Sequence, residues 1–433
     1  GIAGLACAFA LARVGHRVLM LEKGDGIDNV GDGGIQIPPN LAKVLFNWGL
    51  KDRLQQGGLI SHRTFIKRYD TGEHLGTQVW DEDVLRQSCG DFFLFTHRKL
   101  HQILSESAMA LGVKVRHNAS VTGIDGQNCQ VELRTGEVLS ADVIIGADGA
   151  TGLSRMTVID HQDPGVPTGI AVYATTVPSE NVPPDFLNTN DSNTIKALGD
   201  RQCIIAYPIV STVHTLLYYV YDNSATNDYS ADPPLRNLKQ LAIGCEPRLQ
   251  QMVEHAASGV YLSVNRYTNS ASWIDNQGHL LLIGQAAHPF PLGSIQTSAM
   301  AVEDAAVLGR LFRYLRRRDQ ISHFLLAFQQ IRQPRIHFMF TDEINEALST
   351  TMEDGESQRA RDDEIRVKYS SGDSVLDKLT ENPELDRLRV AFGYDCEDEA
   401  DNWWVLWGML LEHARWCNQR TAEADGISTD LQS

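Results

Sequence analysis

The residues best placed to do chemistry stand in short glycine-flanked stretches. At the start of the chain, "GIAGLACAFALARVGHRVLMLEK" places Gly1 and Gly4 at the head of an alanine-rich helical pattern from Leu5 to Val14. Gly15 stops that pattern, and the apolar strand "RVLMLE" ends at Glu22, followed by Lys23. Glycines at a helix N-terminus let backbone N–H groups approach a pyrophosphate, and an acid at the end of the next strand accepts a ribose hydroxyl. Glu22 also disfavours a 2′-phosphate. The order helix then strand is the second half of a βαβ dinucleotide unit. The strand and first glycine that open such a fingerprint are not in the sequence, which reads as shortened by a few residues. The bland alternative is a helix that begins at a glycine for packing.

Further along, "DVIIGADGATGLSR" is a buried strand running into Asp148 and Gly149, and an acid at the carboxyl end of a parallel strand points into a ligand crevice. A turn aspartate is the equal alternative. The stretch "HLLLIGQAAHPFPLGSIQTSAMAVEDAAVLGRLFRYL" is a strand, a loop rich in Ala, Pro and Gly, and a helix whose first turn could aim N–H groups at an electron-rich ring edge. His214 and Tyr207, on strand patterns, are candidate general bases; each also reads as an ordinary sheet residue.

These elements need a frame. With 433 residues, two or three lobes are expected. The formal charge of −17 disfavours nucleic acid or an anionic membrane as partner and leaves a small ligand. The seven cysteines show no CxxC pair and no zinc spacing, so no metal site is expected; they read as buried thiols in a reducing compartment, the cytoplasm by default. No apolar run has membrane-spanning length. Alternating strands "VKVR", "SVTGI" and "QVEL", turning at Gly126 and Gly136, form a small inserted sheet. Strand signals in "IAVYATTV", "QCIIAYPIV" and "HTLLYYVYD", with two more expected from "TFIKRYDTGEHLGTQVW", make a second sheet. A charged stretch after residue 345 leads to "NWWVLWGMLLEHARW", whose Trp403, Trp404, Trp407 and Trp416 read as a face docking on the main body or on a second subunit; the chain is expected to be a monomer or a homodimer.

Taken in this order, the motifs resemble the FAD-dependent aromatic hydroxylases, the salicylate hydroxylase-like or para-hydroxybenzoate hydroxylase-like flavoprotein monooxygenases, over roughly residues 1 to 345. "GDGGIQIPPNLAKVLFNWGL" is similar to the family's loop near the flavin, carried by Gly34, Ile35, Gln36 and Asn40. "THRKLHQIL" puts Arg98 where the family has an arginine contacting FAD, and "IGADGATGLSR" resembles its DG motif, with Asp148, Gly149 and Arg155. Tyr207-Pro208 resembles the strand lining the substrate pocket. Two departures stand out: Gln285 replaces the aspartate of GDAAHP, and Thr297 stands where a glycine leaves room for the isoalloxazine.

The resemblance implies an α/β fold: a Rossmann-like FAD-binding domain (residues 1–64, 93–160 and 269–345), an inserted mixed β-sheet substrate domain (65–92 and 161–268) and a C-terminal helical region (346–433). It implies bound FAD, NAD(P)H as a transient electron donor without a second nucleotide domain, and hydroxylation of a small aromatic substrate by O2 through a flavin hydroperoxide, with or without loss of a carboxylate. The implied cofactor contacts are Gly1, Gly4, Glu22, Lys23, Gly34, Ile35, Arg98, Asp148, Gln285 and Thr297. The competing expectation is a flavoprotein-like shell in which Thr297, Gln285 and the missing first strand prevent tight FAD binding, or a flavin oxidoreductase that does not insert oxygen.

Overall fold

The structure is a computed structural model, and it describes residues 1–26, 33–80, 85, 88–183, 192–210, 212–221, 234–257, 259–267, 270–291, 293–370 and 383–415. Its first helix, α1 (Ile2–Arg13), is buried along almost its whole length, from Ile2 through Leu5 to Leu11. Alanine side chains allow this, because they let neighbouring backbones come close: a Cβ added at Gly309 would lie 2.9 Å from that of Ala10. The helix ends as its sequence indicates, with Gly15 at φ +93°, a conformation that glycine adopts without steric cost. Strand β1 (Leu19–Leu21) follows.

Residues 34–60 add β2 (Gly34–Ile37), α2 (Pro39–Asn47), α3 (Lys51–Gly57) and β3 (Leu59–Ile60). The chain then leaves for β4 (Arg63–Arg68) and β5 (His74–Val79), and returns through β6 (Phe93–Thr96) and α4 (His97–Ala110), which Thr96 caps by accepting the Lys99 amide at 3.1 Å. Next come β7 (Lys114–Arg116), the meander β8 (Val121–Asp125), β9 (Gln130–Leu133) and β10 (Val138–Ser140), then β11 (Ile144–Gly146) and α5 (Leu153–Ile159). Strand β7 pairs in parallel with β1, the three meander strands form their own antiparallel sheet, and β2 and β3 flank β6.

The large sheet is built from two separate lengths of chain. β12 (Val166–Pro178), β13 (Thr194–Gly199), β14 (Gln202–Val210), β15 (Val213–Tyr221) and β16 (Val260–Arg266) join β4 and β5 in the order β16-β12-β15-β14-β13-β4-β5. Helices α6 (Pro234–Leu241) and α7 (Pro247–Glu254) lie between β15 and β16 in the chain. Because successive strand residues point to opposite faces, the sheet sorts its side chains by parity. Ile204, Ala206, Leu216 and Tyr218 join a cluster with Leu238 and Leu249 of α6 and α7, whereas Cys203, Tyr207, Ile209 and Leu217 face the core shared with α1 and α2.

Strand β17 (Leu280–Leu282) pairs in parallel with β11, and α8 (Gln296–Phe312) and α9 (Ile321–Thr350) complete the first body. The division expected at residues 345 and 346 therefore falls inside one helix, α9. Three further helices follow: α10 (Glu356–Ser370), α11 (Pro383–Gly393) and α12 (Cys396–Trp403), the last continuing as a π-helical turn over Trp404–Gly408. Trp404 stacks on Tyr314 at 4.5 Å between ring centroids, so part of the tryptophan stripe docks on the main body, while Trp407 is 60% exposed. Trp416 lies outside the described residues. Of the cysteines, Cys7, Cys129, Cys203, Cys245 and Cys396 are buried, but Cys89 is exposed, which corrects the expectation of buried thiols throughout; Cys417 lies outside the described residues. No described helix is long and apolar enough to cross a membrane.

Candidate active site

The N-terminus of α1 has no side-chain cap, and a Cβ at Gly1 would meet nothing within 4 Å. The Gly1 nitrogen lies 3.7 Å from Glu22 Oε2, while Glu22 Oε1 accepts the Gly24 amide at 3.0 Å. That backbone bond holds the carboxylate beside the helix start. Lys23 is exposed in the next turn, and a Cβ added at Gly4 would meet Ala147 and Met20 at an ordinary contact distance of 3.6 Å. Arg98 is half-buried in the first turn of α4, and the His101 ring one turn later interacts with Glu22, His97 and Arg98. Burial drives the pKa of His101 down to about 4, so the ring is neutral, and its buried Nδ1 has no partner. Sequence reasoning missed His97 and His101; their i, i+4 spacing around Arg98 was the available signal.

Asp148 lies past the carboxyl end of β11, yet its carboxylate turns inward. It accepts the Ser154 amide at 2.9 Å and the Ser154 hydroxyl, capping α5. These are the bonds of a turn aspartate. A Cβ at Gly152 would lie 2.1 Å from Asp148 Cγ, so the DG turn has no room for a larger residue there. Arg155, fully buried, spans to the neighbouring loop: its Nη1 donates to Ala286 O at 3.0 Å and Ala287 O at 3.3 Å, and its Nη2 pairs with Asp163 at 2.9 Å. The DG motif thus fixes the GQAAHP loop from behind.

That loop is held from the other side by an ionic node. Asp304 Oδ2 accepts the Gly284 amide at 2.8 Å and meets His288 Nε2 at 2.6 Å, and Asp304 Oδ1 pairs with Arg332 at 2.8 Å. Arg332 also reaches Glu303 at 2.7 Å, and Glu303 binds Arg335 at 3.1 Å and the Asn40 amide at 2.8 Å. Burial opposes ionisation of both acids, and the arginines, with His288 beside Asp304, outweigh it and hold their pKa values below the usual range. Two acids inside the apolar helix "AMAVEDAAVL" require cations, and "IRQPRI" supplies them.

The two departures lie at the mouth of this loop. Gln285 Nε2 donates to Phe290 O at 3.4 Å, within the loop itself. Thr297, in the first turn of α8, has a buried hydroxyl with no hydrogen-bond partner. The uncapped α1 terminus and the unpaired His101 Nδ1 and Thr297 Oγ1 together fit a long ligand with phosphate, ribose and heteroaromatic parts, as FAD has.

The large sheet meets this region at β2 through side chains on one face of β14 and β15. The Gly34 amide donates to Thr215 Oγ1 at 2.9 Å, and Ile35 packs next to it against the shared core. Tyr219 Oη donates to Gly293 O at 3.0 Å, beside the turn that leads into α8. The odd-numbered residues of β14 and β15, Tyr207, Thr215, Leu217 and Tyr219, therefore lie on the face turned toward Gly34 and Gly293. His214 does not. It is buried on the opposite face, where Nδ1 meets Ser179 Oγ at 3.0 Å, and burial lowers its pKa to about 4. The two expected bases thus part company, since only Tyr207 lies on the sheet face of Thr215, which meets Gly34, and burial pushes its hydroxyl well above the ordinary tyrosine range.

Comparison with known proteins bears on this geometry. A family model described as an FAD binding domain matches residues 1–341. The FAD-dependent monooxygenase OpS4 of Beauveria bassiana is 28% identical over 412 residues, 93% of this chain and 95% of that protein. The 3-hydroxybenzoate 6-hydroxylase 1 of Aquipseudomonas alcaligenes is 28% identical over 74% of this chain and 80% of its own length. The 6-hydroxynicotinate 3-monooxygenase of Bordetella bronchiseptica is 25% identical over 92% and 94%. In fold, Klebsiella pneumoniae HpxO complexed with FAD and uric acid is similar with a TM-score of 0.75, at 19% identity over 90% of this chain and 94% of that one. The match over residues 1–341 places this chain in the FAD binding domain family, among the flavoprotein monooxygenases that include the aromatic hydroxylases.

Proposed function

We propose that this enzyme hydroxylates a small phenol or aromatic acid, using NAD(P)H and O2, on FAD held by the body made of residues 1–64, 93–160 and 269–345. The observation that carries the reading is the sheet face bearing Tyr207, Thr215, Leu217 and Tyr219, set against Gly34 and the turn at Gly293. It offers a flat, largely apolar wall with a few hydroxyls, the surface that a substituted ring needs for orientation.

Bound FAD supplies the two-electron chemistry and the activation of oxygen. The protein's part is placement and exclusion of water. The first N–H groups of α1 would face the pyrophosphate and Glu22 a ribose hydroxyl, with His97, Arg98 and His101 beside them; the Thr297 hydroxyl and the Gln285 loop would face the ring system. Lys23, Ile35 and Gly4 contribute from the second rank, as exposed turn, packing and helix seat. Asp148 acts through the DG turn that it closes. Tyr207 and Leu217 would shield one side of the substrate ring from water. The net change is one oxygen atom to the ring and one to water, with NAD(P)H and a proton consumed.

The test is a visible spectrum of the purified, FAD-loaded protein, followed by NADH and NADPH with 3-hydroxybenzoate and 6-hydroxynicotinate as first probes, traced with labelled oxygen. Flavin bleaching that a probe accelerates, with label in the product, supports the reading. Label only in peroxide or water places the chemistry among non-oxygenating flavoproteins.

A further inference from the structure

One carboxylate over the substrate face stands apart from its neighbours. Helix α9 crosses the flavin side of the large sheet, where Glu343, Glu346 and Ala347 recur at the i, i+3, i+4 spacing of a single helix face. Ala347 packs on the cluster containing Tyr219 and Tyr221, and Glu346 forms an ion pair with Lys196 of β13. Asp342, beside Glu343 in sequence, pairs with Arg387 of α11 at 2.7 Å. Glu343 has no ion pair among the described residues. It is half-buried, interacts with Tyr219, and lies within hydrogen-bond reach of Ser294, the residue after the Gly293 carbonyl that Tyr219 holds.

We propose that Glu343 accepts the proton of the substrate's ring hydroxyl, so that the ring reacts as a phenolate, with Ser294 orienting the carboxylate. The step breaks the substrate O–H bond and forms a bond from that hydrogen to a carboxylate oxygen of Glu343. The electron pair stays on the phenolate, and the proton later leaves to water at the half-exposed edge. This rests on the aromatic hydroxylase reading above. Ionisation matters because it raises electron density in the ring to be attacked.

The surroundings suit the task. Burial raises the pKa of Glu343 to about 7; the Ser294 hydroxyl opposes this, Glu346 and Asp342 reinforce it, and Arg387 opposes it. A carboxyl balanced there takes up and releases a proton near neutral pH. The other groups facing this place are unsuited. Lys196 is committed to Glu346, burial places the Tyr207 and Tyr219 hydroxyls far above their ordinary range, and His214 is on the wrong face.

The test compares the FAD-loaded full chain with Glu343→Gln and Glu343→Asp, using 3-hydroxybenzoate, 6-hydroxynicotinate and 4-nitrophenol. For the wild type, kcat/KM for a hydroxylated probe should rise with pH through a limb near 7. Glu343→Gln should lose that limb, with kcat/KM at pH 8 down by roughly 100-fold, the KM for NAD(P)H unmoved, and Glu343→Asp restoring the limb in part. A Gln variant that keeps the wild-type profile overturns the proposal. Where no probe is turned over, 4-nitrophenol decides by absorbance. Binding to the wild type as phenolate below its solution pKa, and not to Glu343→Gln, supports the assignment; equal ionisation on both, or no binding, overturns it. A wild-type protein that keeps no FAD sinks the hydroxylase reading itself, an outcome separate from an active enzyme indifferent to Glu343.

Discussion

The Gly34 amide donates to Thr215 Oγ1 at 2.9 Å, and this bond seats the large sheet against the loop that the family carries near its flavin. Gly34 has no positive φ, so its glycine identity follows from proximity alone. A Cβ there would lie 2.7 Å from both Ile209 Cγ2 and Thr215 Cβ. Gly34→Ala must push the sheet away, at a cost of about 1–3 kcal/mol as overpacking does. Thermal unfolding should report that loss, and FAD retention should fall with it. Unchanged retention and stability would show that the sheet and β2 move freely relative to each other.

The node joining Asn40, Glu303, Asp304, His288, Arg332 and Arg335 ties α2, the GQAAHP loop, α8 and α9 together. Arg332→Met leaves two buried carboxylates short of a cation and should cost about 3–5 kcal/mol in urea unfolding. The sign with pH follows from the depressed pKa values of Glu303 and Asp304. The stabilisation is present above the ordinary carboxylate range and is lost as pH falls through the lower folded values. The wild type should therefore lose stability steeply in acid and the Arg332→Met variant less so, which thermal melts from pH 3 to 7 would show.

His214 supplies a control on the opposite face of the sheet. With its pKa lowered to about 4 by burial, the folded protein binds a proton there less readily than the unfolded chain, whose histidine titrates near 6.5. Stability should rise with pH between about 4 and 6.5, and His214→Gln should flatten that rise. Hydroxylation by the variant should stay within about threefold of wild type, since a substitution away from the reacting groups acts mainly on stability. A collapse of kcat with normal folding would return His214 to the chemistry.

How much of this was legible in the sequence varies with the distance over which the chain acts. Helix α1, Gly15 and Glu22 were legible because a helical period, a stop and a strand end are local. The DG turn was legible as a cofactor-site motif, but the inward cap that Asp148 makes on Ser154 depends on one rotamer and was not. The choice between His214 and Thr215 could not be read at all. Adjacent residues in a strand face opposite ways, and which parity faces Gly34 is set by pairing among strands running from residue 63 to residue 266. Glu343 was hidden for a related reason, since its position over the sheet comes from the path of a 30-residue helix rather than from any motif around it. Arg332 and Arg335 were legible in principle, because buried acids at Glu303 and Asp304 demand partners.

Thr297 tests whether the departure from the family's glycine is a defect or a contact. Its hydroxyl is buried and unpaired, which destabilises the cofactor-free protein by about 1–3 kcal/mol relative to a paired group. Thr297→Val removes the hydroxyl and keeps the branched shape, so the melting temperature of the FAD-free protein should rise. If the hydroxyl meets the flavin, the same change should weaken FAD binding, by about fivefold to tenfold for one hydrogen bond. Opposite signs in the two measurements identify a contact made only in the loaded enzyme. Tighter FAD binding by both Thr297→Val and Thr297→Gly would instead mean that the threonine obstructs the ring, and that the enzyme works in spite of it.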